Sequence, residues 1–379
     1  MVPVGKYADV PIGKLGGKAI LDALEHAGLS GDDVGAIYAG NMTSGQLCNQ
    51  QLVSAAVAHE ANLVGKEAIT AEGACGSGAA AIRMGYMAVV SGCHDVVVVC
   101  GVEKMSHSSP ELTTQALATA SDRETESGLG QTFLTLNARL MKQYIDTYKV
   151  SRDQFSGFSI NAHRNAVTNP RALFRKAIDE QAYTDSRDIS FPIRLYDAPP
   201  VCDGAACVVL ANSDVARSLR SEGKVVARIR ASTVASDSIV LSDRPDITKL
   251  SAVAKSVTDA YKTAGMTPGD IDFFEPHDAF TVMTAISLEA AGFAERGRAV
   301  FHSSDDEIGL NGRIPICTFG GLKARGHPVG ATGVYQMAEA YLQLTEEAAD
   351  NQVADSGVGM IQNIAGLATV AFTNIIERC

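Results

Sequence analysis

Ala27-Gly28-Leu29-Ser30-Gly31-Asp32-Asp33-Val34 returns as Ala264-Gly265-Met266-Thr267-Pro268-Gly269-Asp270-Ile271, at a constant offset, 264 minus 27, of 237 and with no gap. Each octet follows an amphipathic helical pattern: Leu15, Ala19, Ala23, Leu24 and Ala27 recur on one face in the first copy, Val253, Val257, Ala260 and Ala264 in the second. Each leads into a short strand, Ala36-Ile37-Tyr38 or Asp272-Phe273-Phe274. Farther along, Cys75-Gly76-Ser77-Gly78-Ala79 sits against His327-Pro328-Val329-Gly330-Ala331 at offset 252, so the connecting segments differ by 252 minus 237, or 15, residues. The chain therefore reads as two copies of one α/β unit. Packed about a pseudo-twofold axis, such copies bring equivalent helix starts together, and Cys75 is expected to meet His327.

Between these landmarks strands and helices alternate. Val96 to Cys100, Cys207 to Leu210, Val225 to Ile229 and Val370 to Ile375 are short apolar, β-branched runs of the kind buried on both faces of a sheet. Residues from about 105 break the rhythm: the stretch is more polar, with helices expected near 131–148 and 151–167, and reads as an excursion over the site. The expected organisation is an N-terminal half of residues 1–104 and 198–222, an inserted loop domain of 105–197, and a C-terminal half of 223–379.

At 379 residues, 46% apolar and 20% charged, the chain is long enough for two core-bearing halves. No apolar run reaches the roughly 18 residues of a membrane span. The N-terminus lacks a basic-then-apolar leader pattern, so a cytoplasmic location and no membrane partner are expected. A net charge of −11 argues against nucleic acid, which needs clustered Lys and Arg. The eight cysteines contain no Cys-x-x-Cys pair and the eight histidines no i, i+4 pair, so no metal site is expected.

Glycines gather at the two reactive turns: Gly73, Gly76 and Gly78 around Cys75, and Gly320, Gly321, Gly326, Gly330 and Gly333 around His327. They allow positive φ and close backbone approach. Gly78, Gly85, Gly330 and Gly333 are explained equally well by tight helix packing. A cysteine ahead of a helix is expected to have a lowered pKa, because partial positive charge and free N–H groups lie near the sulfur. A thiolate is both a nucleophile and a leaving group, which suits acyl transfer between thioesters. His327 is placed to take the thiol proton.

In order along the chain, the Cys75 turn, Gly101-Val102-Glu103-Lys104-Met105-Ser106, Asp203-Gly204-Ala205-Ala206, Glu275-Pro276-His277-Asp278-Ala279-Phe280, and Gly320-Gly321-Leu322 through Gly326-His327-Pro328 resemble the thiolase family over nearly the whole chain. The His-Asp-Ala-Phe segment is most similar to sterol-carrier-protein-type and related prokaryotic thiolases. The resemblance implies a duplicated αβαβα layered fold with two mixed five-stranded sheets and an inserted loop domain. It implies acetyl-CoA C-acetyltransferase activity through an acyl-Cys75 intermediate, running as Claisen condensation or thiolysis. His277 and His327 would hold the enolate oxygen. Backbone N–H groups of Cys75 and of the loop at Asn363, Ala365 and Gly366 would hold the tetrahedral oxyanion. No permanently bound cofactor is implied, with coenzyme A and acyl-CoA as substrates. The expected assembly is a homodimer or tetramer, with a small zinc-bearing OB-fold protein and a hydroxymethylglutaryl-CoA synthase as further partners.

The chain departs from the family in three places. Gln362-Asn363-Ile364-Ala365-Gly366 replaces the Cys-x-Gly segment that carries a second cysteine, and position 279 is alanine where sterol-carrier-protein-type enzymes have theirs. Either His277 takes the substrate proton or condensation is impaired; Cys317, ten residues before His327, is a lesser candidate to approach the site. Pro3-Val4-Gly5-Lys6 comes so early that the first strand is expected to be missing, exposing a sheet neighbour. The alternative readings are an acyltransferase or carbon–carbon lyase acting on another acyl substrate, and a non-catalytic partner subunit.

Overall fold

The computed structural model describes residues 1–379. The repeated octet is the same device in both halves. Helix Ile12–Ala27 ends on Gly28 at φ 73°, and helix Ser251–Ala264 ends on Gly265 at φ 70°, the left-handed cap that glycine adopts without a Cβ penalty. A short 3-10 turn follows, closed by Asp33 Oδ2 accepting from Ser30 N (2.8 Å) in one copy and by Asp270 Oδ2 accepting from Thr267 N (2.7 Å) in the other. Each turn aims the chain into the first sheet strand of its half, β1 (Ala36–Gly40) or, later in the chain, Phe273–Glu275.

In the first half, β1, β2 (Glu67–Ala71) and β3 (Val96–Glu103) run parallel; two short strands of the excursion, β4 (Asp188–Ser190) and β5 (Ile193–Arg194), intervene before β6 (Gly204–Ala211), which pairs antiparallel with β3. The sheet order is β2-β1-β3-β6. The second half has β7 (Ala227–Ser236), β8 (Phe273–Glu275), β9 (Val358–Ala365) and β10 (Val370–Arg378) in the order β7-β10-β9-β8. Every residue of β1 and β3 is buried, as apolar β-branched runs require when helices cover both faces.

The sheets are mixed and each has four strands: the first half was expected to lack one, whereas five were implied for the second. In the first half the missing neighbour of β6 is reduced to a bridge between Gly5 and Asp203, and in the second the missing neighbour of β8 to a bridge between Phe274 and Ile316. Proline explains why neither lengthens into a ladder: Pro3 and Pro315 have no N–H to donate, and Cys317, at φ 50°, turns the chain away immediately after Ile316. Val208 to Ala211 of β6 are accordingly only half-buried, as expected for a strand short of a neighbour.

Two helices form the middle layer between the sheets. Helix Ser77–Val90 follows the Cys75 turn and lies on β3 and β6 through Gly85, where a Cβ would come within 2.8 Å of Val99. Helix Thr332–Leu344 follows the His327 turn and is tied to the second sheet by Gln336 Nε2, which donates to the carbonyls of Glu275, Pro276 and Gln362. Helices Ile12–Ala27 and Ser251–Ala264 cover the outer faces; Thr233 of β7 donates to the Ser256 carbonyl of the latter (2.7 Å). Residues 105–197 contribute no strand to either main sheet. Their helices, Phe133–Tyr148 and Ser156–Ala166, agree with the expected positions and pack into the second half's core, Leu140, Tyr144 and Phe158 lying with Val282 and Ile286.

The two helix starts touch backbone to backbone. A Cβ on Gly78 would lie 3.0 Å from Gly330 O and from Val334 N, and one on Gly101 of β3 2.7 Å from the Ala331 Cα. Gly101→Ala is therefore expected to destabilise the fold by about 1–3 kcal/mol in urea unfolding. Gly269→Ala, whose Cβ would meet only Thr267 Oγ1 at 3.8 Å, is the near-neutral control.

Candidate active site

Cys75 occupies a single tight turn, Ala74–Gly76, between β2 and the helix it precedes. Ala74 sits at φ 49°, a conformation held by Glu72 Oε1 accepting from Ala74 N (2.6 Å) and by Ser77 Oγ donating to Ala74 O (2.6 Å). The thiol side chain packs against Met105 and against Val329, two residues beyond His327. The end of β9 and β10 close the opposite side: a Cβ on Gly76 would meet Phe372 at 3.0 Å and the Ala365 Cβ at 3.2 Å.

The His327 ring is anchored by Nδ1, 2.7 Å from Thr332 Oγ1. That hydroxyl also lies 3.1 Å from Pro328 O; with its proton donated there it accepts from the ring, an arrangement that puts the His327 proton on Nδ1 and leaves Nε2 bare. His277 lies just past β8, its ring edge-on to that of His327 with centroids 5.0 Å apart. Asn363 of β9 places Nδ2 3.0 Å from His277 Nδ1. The tertiary structure thus gathers His277, His327 and Asn363, sets Val329 on Cys75, and lays Ala365 against Gly76. Gly366, one residue on, turns the chain at φ 59° toward β10 beside Ala120 O of the excursion.

Buried acids fix this frame. Glu103, at the end of β3, accepts from Asn41 Nδ2, Met42 N, Thr43 N and Thr43 Oγ1 on one side and from Gly330 N (3.0 Å) on the other, pinning the His327 turn to the first half. Asp278, beside His277, pairs with Lys323 Nζ at 2.6 Å with both side chains fully buried, and accepts from Leu322 N (2.7 Å). Arg325 pairs with Glu339 (2.6 Å), and the Cys202 thiol meets the His327 backbone. Glu103 and Lys323 lie within quoted sequence motifs, but their roles needed the fold. A charged residue inside a glycine-rich apolar turn was the one available signal.

Electrostatics correct one expectation. Burial, with the Glu103 carboxylate adding to it, pushes the Cys75 thiol up to about 12 instead of lowering it. Burial also brings His277 down to about 4 and His327 well below its ordinary value, the neighbouring ring and Arg325 adding to the shift for His327. At neutral pH the resting site holds a thiol and two neutral imidazoles. Burial would raise the Asp278 carboxyl, but Lys323 and the Leu322 N–H hold it below the usual range. Cys317 lies in the core with its thiol toward Asp278, and burial raises it far above an ordinary thiol.

Two outcomes follow. Alkylation of Cys75 by iodoacetamide, resolved by peptide mapping, should rise about tenfold per pH unit through pH 9. A Cys–His ion pair would instead give an inflection near pH 6–7 and a plateau. Lys323→Met should destabilise the protein by about 3–5 kcal/mol, because it strands the Asp278 charge in the core, and Lys323→Met with Asp278→Asn should recover much of the loss in chemical denaturation.

Residues 1–188 match the family model described as thiolase, N-terminal domain, and residues 233–378 that of the thiolase C-terminal domain-like family. The chain is 40% identical over 374 residues to an acetyl-CoA acetyltransferase of Methanothermobacter thermautotrophicus, covering 99% of this chain and 96% of that protein. It is 34% identical to an acetyl-CoA acetyltransferase of Methanocaldococcus jannaschii, covering 95% and 92%. Among solved structures, the Ltp2-ChsH2(DUF35) aldolase superposes with a TM-score of 0.83 at 22% identity over 100% of this chain and 97% of that one, a likeness of fold. With both family models spanning most of its length, this chain belongs to the thiolase family of acyltransferases.

Proposed function

We propose that the protein is an acetyl-CoA C-acetyltransferase working through acetyl-Cys75. The observation that carries this reading is the meeting of the two duplicated turns: Val329 packs on Cys75 while the His327 ring presents a bare Nε2, held by Thr332, beside the His277 ring. A thiol pushed up by burial needs a base at hand when substrate arrives, and His327 Nε2 has the open lone pair. The thiolate attacks acetyl-CoA, the N–H groups of Cys75 and of the end of β9 from Asn363 to Gly366 face the developing oxyanion, and coenzyme A leaves with the proton. A second acetyl-CoA, as its enolate, then takes the acetyl group to give acetoacetyl-CoA; thiolysis is the reverse.

Coenzyme A enters as substrate in this scheme. The reading extends to a homo-oligomer: β2 is an edge strand whose residues 67–70 are exposed or half-exposed, Ile69 among them, and such an edge is a liability unless covered. A small zinc-bearing OB-fold protein and a hydroxymethylglutaryl-CoA synthase are proposed as further partners on the family resemblance alone.

Incubation with acetyl-CoA should place one acetyl group on Cys75, read by mass spectrometry, and Cys75→Ser should abolish both that label and acetoacetyl-CoA thiolysis. An unlabelled Cys75 in an active enzyme would sink the proposal. His277→Ala should lower condensation by about 100-fold or more while leaving Cys75 acetylation within about fivefold; equal loss of both half-reactions would remove His277 from the enolate site.

A further inference from the structure

The reading above leaves unassigned the group that removes the α-proton of the second acetyl-CoA, since neither customary position supplies a second cysteine. The two histidines are not equivalent. His327 Nδ1 faces a hydroxyl whose own proton is committed to Pro328 O, so Nδ1 donates and Nε2 is a lone pair. His277 Nδ1 faces an amide nitrogen, Asn363 Nδ2 at 3.0 Å. An amide NH2 can only donate, so this Nδ1 accepts and the ring proton lies on Nε2.

The orientation of the Asn363 amide has a physical cause. Its Oδ1 is buried, has no hydrogen-bond partner, and points between the first turns of helices Ser77–Val90 and Thr332–Leu344. A Cβ on Gly333 would lie 2.7 Å from that oxygen and 2.5 Å from Ala79 N. The starts of two helices carry partial positive charge, which favours the amide oxygen there and turns the NH2 toward His277. The reversed amide would aim its N–H groups into the same positive region.

We propose that Asn363 is a positioning residue that fixes His277 as an Nε2–H donor rather than a base, leaving His327 as the one base of both half-reactions. This rests on the thiolase reading. In the first half-reaction His327 Nε2 takes the Cys75 proton, the C–S bond to Cys75 forms, the bond to coenzyme A breaks, and His327 returns the proton to the departing thiolate. The base is free again. It then takes the α-proton of the second acetyl-CoA; the C–H electron pair becomes the enolate, whose oxygen is held by His277 Nε2–H. The enolate carbon attacks acetyl-Cys75, the carbon–carbon bond forms, the C–S bond breaks, and the Cys75 thiolate recovers the proton from His327. His277 keeps its proton throughout, and burial, which disfavours the imidazolium, keeps its donor neutral.

The charged and titratable groups around His277 are Asp278, Lys323, Arg325 and His327. Asn363→Asp adds one carboxylate to them, opposite Nδ1, which would draw the proton from Nε2 to Nδ1. The test is the 15N spectrum of histidine-labelled full-length protein, with His277 assigned by its loss in His277→Asn. Wild type should show Nδ1 bare and Nε2 protonated, and Asn363→Asp the reverse at about pH 8. In kinetics, Asn363→Asp should lose about 100-fold in condensation near pH 8 and recover as pH falls, when a second proton restores Nε2–H. The ratio of condensation to Cys75 acetylation should fall about 30-fold or more near pH 8 and recover as pH falls. Wild-type His277 protonated on Nδ1 overturns the proposal without a variant being needed. Equal loss of both half-reactions at every pH would overturn it as well, by reducing Asn363 to a structural part. Failure of Cys75 to acetylate would instead reject the underlying thiolase reading, whichever tautomer the spectrum shows.

Discussion

The contact between the starts of helices Ser77–Val90 and Thr332–Leu344 governs the rest of the molecule. There Gly78 meets the backbone of Gly330 and Val334 with no room for a side chain. Because the turns carrying Cys75 and His327 immediately precede those starts, the separation of the two backbones sets the separation of the reactive groups. Glu103 secures the same contact in polar terms, accepting from the 41–43 loop and from Gly330 at once. One buried carboxylate so joins the halves of the duplication at the turn that follows His327.

That closeness shapes the electrostatics. A site sealed between two sheets cannot carry loose charge, so the thiol and both imidazoles rest neutral, while the charges nearby are locked in pairs, Lys323 with Asp278 and Arg325 with Glu339. The helix-start argument for a lowered cysteine pKa is sound for an exposed residue. Here desolvation is the larger effect, and Glu103 acts in the same direction. The thiol therefore keeps its proton at neutral pH, and the direction in which each imidazole presents its proton is the detail on which the proposed chemistry turns.

Much of the architecture was legible before any coordinates. The octet at 27–34 and 264–271 encodes a glycine cap and a carboxylate-closed turn, local devices whose residue types follow from backbone geometry alone. Val96 to Cys100 and Val370 to Ile375 announced central strands because both faces are covered. β2 was not anticipated: Glu67 to Thr70 is an exposed edge, and an edge strand need not show an apolar pattern. The fifth strand implied for the second half dwindled to a single bridge, where Pro315 removes a ladder donor and, beyond Ile316, the backbone turns at Cys317.

By itself the sequence determined the duplication, the family and the paired turns, and it named Cys75, His277 and His327 as candidates, because those rest on local residue types and on spacing. Tertiary structure alone decided what surrounds them. Burial depth set the protonation of the thiol, and the partners at the ring nitrogens are only partly local: Thr332 is five residues from His327, but Asn363 is 86 from His277. A pKa and a tautomer depend on what is packed around a group in three dimensions, and no spacing along the chain encodes that.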